Sequence, residues 1–375
     1  MKRVAVPVWL VEAAAGVALL SCGLLAAGIW GWTTNEARQG QIITFFTSAI
    51  IVLALQLFSG NSGLLSFGHL AFVGVGAYVA GILMLDPATK ETLTGLPGFM
   101  QSFSLGFFPA TLVAAAVVGL LALVIGLPVV RLTGAAAVIA TLVLLLIANV
   151  VFGNWTGVTR GAGGLYGVPL VTTVGWALAW TVVALVVARL FKASGWGLQL
   201  QASREDELAA PSVGVRVRAL RLRAWVLSAM LCGVAGSLIA GFLTTFSPTN
   251  FFLQQTFIVI VMLIVGGMGT VTGPLIGAAL VTLVQEGLRG YEDESLDLGF
   301  VHFARLTGLT QIALVVMILA ILYFRRDGLV GRHEADESLR LLAGGRRLRA
   351  APGEPEAEPE IRRADAAVSD QVARD

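Results

Sequence analysis

Long apolar segments follow one another along most of this chain, and they constrain its fold more than any other feature. They recur from residue 12 to residue 324, separated by short polar or glycine-rich turns. Only 13% of the residues are charged, against about 25% in a typical soluble domain. Apolar helices of this kind are stable in a bilayer, where each backbone polar group is bonded within its own helix. The sequence therefore predicts an all-α fold, a polytopic transmembrane helical bundle.

We predict about ten spans, within a range of 8–10. Two of them, 253–267 and 275–288, are short, and a hairpin that enters and leaves on one side is nearly as consistent with them. The first span of the chain, Glu12–Trp30, could also be a signal peptide, but its length and the lack of a clear A-x-A site favour a retained helix. The predicted spans are Glu12–Trp30, Gln41–Phe58, His69–Leu85, Phe107–Val130, Gly134–Phe152, Thr172–Phe191, Ala224–Thr245, Phe251–Gly267, Leu275–Leu288 and Thr307–Phe324.

The distribution of charge predicts the orientation and the domains. With both termini cytoplasmic, the inside segments as far as residue 332 carry 12 Lys/Arg and the outside loops carry 5, as the positive-inside rule requires. Residues 325–375 hold 10 Lys/Arg and 11 Asp/Glu and include a Glu/Pro-rich run. We therefore expect a transmembrane domain at 1–324, with a cytoplasmic loop at 193–223, and a charged, disordered cytoplasmic tail at 325–375.

Signals for an enzyme are scarce. The three lysines, Lys2, Lys90 and Lys192, lie outside any G-x-x-x-x-G-K-[ST] loop, so we expect no ATP hydrolysis by this chain. Neither an H-E-x-x-H nor a G-x-S-x-G motif is present, and we expect no metal site. Ionisable residues within the spans are few: His69 is either bonded to backbone at an interface or used in transport, and Glu286 either extends to the outer interface or serves transport.

The loop at 193–223 is the longest polar insertion between spans. Ser203 followed by Glu205 and Asp206 predicts a short helix that begins at Ser203 and is limited by Pro211. The run from Arg216 to Arg223 suits the inner headgroup layer. On physics alone, this helix is equally consistent with a surface helix that transmits a push from a soluble motor and with an ordinary amphipathic surface helix.

Three motifs resemble those of ATP-binding cassette importer permeases of the branched-chain amino acid type. Gly197–Gly214 follows the pattern G-x-x-L-x-A-x-R-E-D-E-x-A-A-x-x-x-G, which is similar to the family's ATPase-coupling loop. Gly60–Tyr78 and Val265–Leu280 resemble its early and late glycine-rich segments. The resemblance covers roughly residues 40–325 and looks closer to the longer of the two permease subunits, which carries the Ser-x-Gly-His element.

The resemblance implies a non-enzymatic, multi-pass importer subunit of the bacterial cytoplasmic (inner) membrane. Its expected partners are a second permease subunit, two cytoplasmic ATPase subunits, an extracytoplasmic solute-binding protein and membrane lipid, but no nucleic acid. No cofactor is expected on this chain, because the partner ATPase subunits bind the ATP.

The resemblance also implies two sets of functional residues. Those expected to couple the permease to the ATPase are Arg204, Glu205, Asp206, Glu207, Ala209, Ala210 and Gly214. Glycine breaks that expose backbone groups to a cavity predict a translocation pathway at Ser66, Gly68, His69, Gly74, Gly76 and Tyr78. For any single glycine, contact between packed helices is the alternative.

The sequence departs from the family at Pro211 and only loosely keeps its Thr-x-Gly-x-x-Gly-Leu pattern at Thr159–Leu165. The substrate is therefore left open. The chain could instead be the same architecture importing urea, amides or another small polar solute, a stand-alone secondary transporter or channel, or a membrane-embedded enzyme.

Overall fold

The structure of the protein is a computed structural model. It describes residues 17–18, 20–29, 35–91, 96, 98–207, 209–293, 296–297, 302–303, 308–325 and 328–331. The predicted tail at 325–375 therefore lies almost entirely outside the described residues, as does the start of the first predicted span.

The described chain is almost wholly helical. A π-helical turn, Gln56–Gly60, follows the second helix, and 3₁₀ turns occupy Gly161–Gly163, Ala210–Val213 and Pro248–Phe251. Strands β1 (Leu296–Asp297) and β2 (His302–Phe303) form one small antiparallel pair. The helices are α1 (Leu20–Ile29), α2 (Glu36–Leu55), α3 (His69–Met84), α4 (Pro87–Lys90), α5 (Gly98–Gln101), α6 (Phe107–Val129), α7 (Gly134–Asn154), α8 (Thr156–Thr159), α9 (Val174–Ala193), α10 (Gly195–Glu205), α11 (Val217–Leu243), α12 (Leu253–Gly266), α13 (Thr272–Asp293) and α14 (Leu309–Phe324).

Six helices in the described part of the chain are long and apolar enough to cross a membrane. Three shorter helical stretches, within α1, α3 and α14, are also apolar. The all-α polytopic bundle is thus confirmed, whereas the predicted number of ten spans is not established by length and hydropathy. The six segments are Arg38–Gly60, Phe107–Val129, Gly134–Asn154, Val174–Ala193, Val217–Leu243 and Pro248–Gly266.

Glycines bring α3, α6 and α11 into backbone contact at the centre of the bundle. A Cβ on Gly76 would lie 2.6 Å from the Cα of Gly233, and one on Gly236 would lie 2.6 Å from the backbone nitrogen of Ala77. On its other side, Gly233 faces the backbone of Ala115 in α6. Small residues are what allow membrane helices to approach this closely. α11 is therefore held between α3 and α6.

The second helix is the most enclosed of the long ones. In an apolar 18-residue stretch of its membrane-length segment, Arg38–Gly60, 89% of the residues are buried. It packs against α9, α11 and α13, and Thr181 of α9 donates a hydrogen bond to the carbonyl of Phe46 at 3.2 Å. α2 is thus an internal helix, and any movement of it displaces its neighbours.

Contacts between connecting segments define two ends of the bundle. At one, called here the α10 end, Lys192 donates to the carbonyl of Gly269 at 2.6 Å, and the amide of Leu329 donates to Val265 at 3.0 Å. At the opposite end, Leu165 forms a β-bridge with Phe246. Neighbouring helices therefore run in alternating directions between the same two ends.

Buried Lys90 stabilises the connection between α3 and α6, at the opposite end of the bundle. Its ammonium donates to the carbonyls of Leu83 and Phe103, and its burial lowers the pKa of this group.

Helices α12 and α13 both extend from one end to the other. The 3₁₀ turn before α12 accepts a hydrogen bond at Pro248 from Asn149, which lies near the opposite end, whereas the turn after α12 is at the α10 end. α13 then returns beside α2, so that Gln41 reaches Glu286 at 3.2 Å.

The glycine contact at the centre predicts a contrast between two Gly→Ala substitutions. Gly236→Ala should lower the melting temperature in detergent, because overpacking typically costs about 1–3 kcal/mol and the new methyl group meets α3 backbone rather than a flexible side chain. Gly287→Ala in α13 should leave it unchanged or raise it, since nothing lies within 4 Å of that Cβ position and alanine favours helix. Equal melting temperatures for the two variants would contradict the packing described here.

Candidate functional site

A sharp bend separates α9 from α10 at the α10 end of the bundle. Ser194 caps α10 by accepting a hydrogen bond from the amide of Gly197 at 3.3 Å. A Cβ on Gly197 would lie 2.7 Å from the carbonyl oxygen of Lys192, so this bend requires glycine. The first glycine of the loop motif is thus a structural requirement of the turn.

The helix that was predicted to begin at Ser203 begins eight residues earlier. α10 spans Gly195–Glu205, so Ser203 lies in its last turn and donates to the carbonyl of Leu200. The acidic residues therefore lie at the end of the helix and beyond it rather than at its start. The prediction failed because Ser194 and Ser203 are both suitable caps by type, and only Ser194 lies where α9 ends.

Arg204 contacts its own chain. Its Nη1 donates to the carbonyl of Gly60 at 3.0 Å, and its side chain lies across Gly63, where a Cβ would be 2.8 Å from its Cγ. The last turn of α10 is therefore attached to the end of the π turn that follows α2.

The three acidic residues after Arg204 occupy different environments. Glu205 is exposed and makes no hydrogen bond or ion pair with any described residue. Asp206 accepts a hydrogen bond from the amide of Ala209 at 2.9 Å. Glu207 pairs with Arg221 of α11 at 2.9 Å, and the Arg221 side chain is only 4% exposed. Of the three, Glu205 is the one whose carboxylate has no partner among the described residues.

The rest of the predicted coupling set forms the turn that leads into α11. Ala210 is buried and accepts a hydrogen bond from Val215, whereas Ala209 is exposed. Gly214 has a φ of +82°, a left-handed conformation that favours glycine. In the basic run that follows, residues Val217–Arg223 form the first turns of α11. Arg221 is buried, which differs from the expectation that the whole run faces the headgroup layer.

One face of α10 is exposed and partly apolar, which sequence reasoning had missed. Leu198, Ala202 and Glu205 follow the i, i+4, i+7 spacing of one helix face, and all three are exposed, with Leu198 at 57%. We call these three residues the docking face. Val213, in the next turn, is 79% exposed. Exposed apolar residues of this kind can mark a protein interaction surface.

The predicted pathway begins with a buried hydrogen-bonded cluster. His69 contacts the hydroxyl of Ser66 at 2.8 Å through Nδ1 and that of Ser228 in α11 at 3.0 Å through Nε2. The rings of Phe58, Phe72 and Trp225 surround it. Both ring nitrogens of His69 are thus satisfied by side chains, and it is not bonded to backbone at an interface. Sequence reasoning had not found Ser228, whose only signal is a hydroxyl within an apolar span.

The remaining pathway residues are packed in this conformation. Gly68 faces the carbonyl of Thr141, Gly74 faces the ring of Phe152, and Gly76 faces α11. Tyr78 lies among Phe152, Phe246 and Phe251 and lines an apolar cavity of about 750 Å³ between α3, α6 and α7. The structure therefore brings the segment together as a packing surface between helices.

A smaller groove of about 160 Å³ lies beside α2 and is more polar. It is lined by Thr44, Thr47 and Ser48 of α2 together with Asn250 and Gln255. Just beyond the end of α2, Gln56 and Ser59 are buried, and in the part of the chain that the structure describes the Gln56 amide and the Ser59 hydroxyl have no hydrogen-bond partner. Within the described residues, no group of three or more His, Cys, Asp or Glu side chains is arranged to hold a metal ion.

The membrane bundle and its motifs can be compared with known proteins. Residues 39–324 match the family model described as branched-chain amino acid transport system / permease component. The chain belongs to this family. The resemblance inferred from the three motifs is thereby confirmed, and this permease is a multi-pass membrane protein.

Several curated relatives match this permease at low identity. The high-affinity branched-chain amino acid transport system permease protein LivM of Escherichia coli (strain K12) is 26% identical over 307 residues, covering 73% of this chain and 68% of the relative. The probable branched-chain amino acid transport permease protein LivH of Methanocaldococcus jannaschii is 26% identical over 300 residues, covering 76% and 89%. The fructose import permease protein FrcC of Rhizobium meliloti is 31% identical over 116 residues, covering only 29% and 32%. No solved structure matches the chain.

Two neighbouring glutamates should respond differently to replacement by alanine. Glu207→Ala leaves the enclosed Arg221 without its partner and should cost about 1–2 kcal/mol, since Glu207 is partly exposed to solvent. Glu205→Ala should have no measurable effect on stability. Thermal unfolding of the purified permease checks both values, and the two contacts would be misassigned if Glu205→Ala were the more destabilising change.

Proposed function

We propose that this permease is the membrane-spanning subunit of an ATP-binding cassette importer that carries branched-chain amino acids across the bacterial cytoplasmic membrane. The observation that carries the proposal is the docking face of α10. It is exposed, partly apolar and connected to the bundle through Arg204 and through the Glu207–Arg221 pair. Family membership supplies the substrate class, which the names of the LivM and LivH relatives support.

The proposed topology has ten crossings, with the α10 end and both termini in the cytoplasm. The end-to-end course of α12 and α13 supports the count. The excess of Lys and Arg in the segments assigned to the inside supports the orientation. In this proposal, residues 1–324 form the permease domain, 193–223 form the coupling loop, and 325–375 form a cytoplasmic tail.

The docking face would bind one of two cytoplasmic ATPase subunits. Its apolar Leu198 would enter a groove on that subunit, and Glu205 would form the polar contact that fixes the register. The remaining predicted coupling residues would support this surface: Arg204 would attach it to the bundle, and Asp206, Glu207, Ala209, Ala210 and Gly214 would shape the loop behind it. ATP would be bound by the partners, and we assign no cofactor and no enzymatic activity to this chain.

The remaining proposed partners are a second permease subunit, an extracytoplasmic solute-binding protein and membrane lipid, but no nucleic acid. The six predicted pathway residues at Ser66–Tyr78 stay part of the proposal. Because Gly76 and Gly236 hold α3 against α11 in this conformation, these residues would line a pathway only after the two helices move apart.

A second candidate substrate is another small polar solute. The partial similarity to a fructose import permease favours it, because this likeness occurs in a protein named for a different solute. The importer mechanism would be unchanged if the solute were a sugar, urea or an amide. A stand-alone transporter or channel would differ in mechanism, because it would move its solute without an ATPase.

Transport by the complete complex tests the proposal. Proteoliposomes that contain both permeases and both ATPases, with the binding protein on the outside, should accumulate labelled leucine only when ATP is supplied on the motor side. A nonhydrolysable ATP analogue serves as the control. Fructose, urea and leucine compared in the same assay separate the substrate candidates. If this permease alone moved leucine down a gradient without an ATPase, the importer assignment would be refuted.

The docking face predicts a loss of motor binding on substitution. Leu198→Glu places a charge in the proposed apolar contact and should reduce co-purification of the ATPase subunits at least tenfold. The matched control is Leu170→Glu, which changes an exposed leucine at the opposite end of the bundle and should leave co-purification intact. Retention of the motor by the Leu198 variant would exclude α10 as the docking element.

A further inference from the structure

The contact between Arg204 and Gly60 joins the coupling helix to the most enclosed helix of the bundle. We infer that Arg204 is a transmission residue, which passes movement of α10 to the π turn Gln56–Gly60 at the end of α2. The inference rests on the proposed function, in which a motor moves α10. It assigns Arg204 a role inside the permease rather than in the interface with the ATPase.

The joint combines a charged hydrogen bond with close packing. The guanidinium of Arg204 donates to the Gly60 carbonyl at 3.0 Å, and a charged donor makes a stronger bond than a neutral one. The aliphatic part of Arg204 lies against Gly63, where a Cβ would be 2.8 Å from its Cγ and 3.2 Å from its Cδ. Gly63 also has a φ of +74°. Arg204 is exposed overall, but these contacts join its side chain to the 60–63 segment at two points, so that α10 and this segment move together.

The segment that Arg204 holds is an unusual one. Gln56–Gly60 is a π turn, a rare form that is often found at functional positions in helices. Gly60 also abuts the turn between α12 and α13, because a Cβ there would lie 2.6 Å from the carbonyl oxygen of Met268. Lys192, at the end of α9, bonds to the carbonyl of the adjacent Gly269. Movement at Gly60 therefore reaches α2 and the α12–α13 turn at once.

Two buried polar groups indicate that the π turn has an alternative arrangement. The side-chain amide of Gln56 and the hydroxyl of Ser59 are buried and have no hydrogen-bond partner among the described residues. Burying a polar group without a hydrogen-bond partner destabilises the conformation that buries it. By contrast, the amide of nearby Asn61 donates to the carbonyl of Leu57 at 2.8 Å. In a second conformation, new hydrogen bonds to the Gln56 amide and the Ser59 hydroxyl would offset the free energy lost when the present contacts break.

Substitution of Arg204 in the complete complex tests the transmission role. Arg204→Ala should leave ATPase co-purification and ATP hydrolysis within twofold of wild type, but lower the leucine imported per ATP hydrolysed at least tenfold. Arg204→Lys keeps a charged donor and should restore part of this ratio. Arg131→Ala, which removes an exposed arginine from the α6–α7 turn, serves as the matched control and should behave as wild type.

The outcomes separate this inference from the proposed function. An unchanged import ratio in Arg204→Ala would overturn the transmission role. Loss of ATPase co-purification in that variant would also overturn it, because Arg204 would then be a docking residue. Failure of the wild-type complex to import leucine with ATP would instead refute the function on which the inference rests.

Replacement of Gln56 tests the alternative arrangement of the π turn independently of the joint. Gln56→Leu removes the unpaired amide, so the melting temperature of the resting complex should rise while leucine uptake falls at least fivefold. Asn61→Leu removes an amide that is bonded in this conformation and should lower the melting temperature. If Gln56→Leu lowered the melting temperature as Asn61→Leu does, or left uptake unchanged, the π turn would have no role in transmission.

Discussion

The bundle depends on the backbone contact between α3 and α11. In a bilayer, apolar side chains gain little by turning away from lipid, so helix association relies on close packing. Gly76, Gly233 and Gly236 provide that packing, and the same α11 is held from its other side by α6. The contact brings Ser228 to His69, which explains how a polar cluster is satisfied in the interior of a membrane protein.

The same helix also determines how the coupling loop is presented. α11 begins at the α10 end, where buried Arg221 holds Glu207, while Arg204 attaches the other side of the loop to the end of α2. The loop is thus bound to two helices that are themselves packed together. This arrangement leaves the docking face exposed, while Arg221 behind it is buried. It accounts for why neighbouring residues of one acidic motif have different roles.

Hydropathy alone predicted the helical bundle, because lipid requires apolar segments that satisfy their own backbone. The details that depend on tertiary contacts could not be predicted in this way. The glycine at position 76 has the same local sequence signal whether it faces a cavity or another helix, and only the position of Gly233 decides between them. Likewise, the loop motif pointed to Arg204 and Glu205 together. The sequence does not indicate that Arg204 contacts Gly60 of its own chain while Glu205 has no partner among the described residues.

Site-specific photo-crosslinking in the assembled complex tests the central claim that the α10 end meets the motor. A photoreactive residue at Val213, the most exposed apolar position among the described residues of the coupling loop, should capture an ATPase subunit. The same residue at Tyr166, which is exposed at the opposite end, should capture no ATPase. Capture of the ATPase from Tyr166 and not from Val213 would contradict both the orientation and the coupling role.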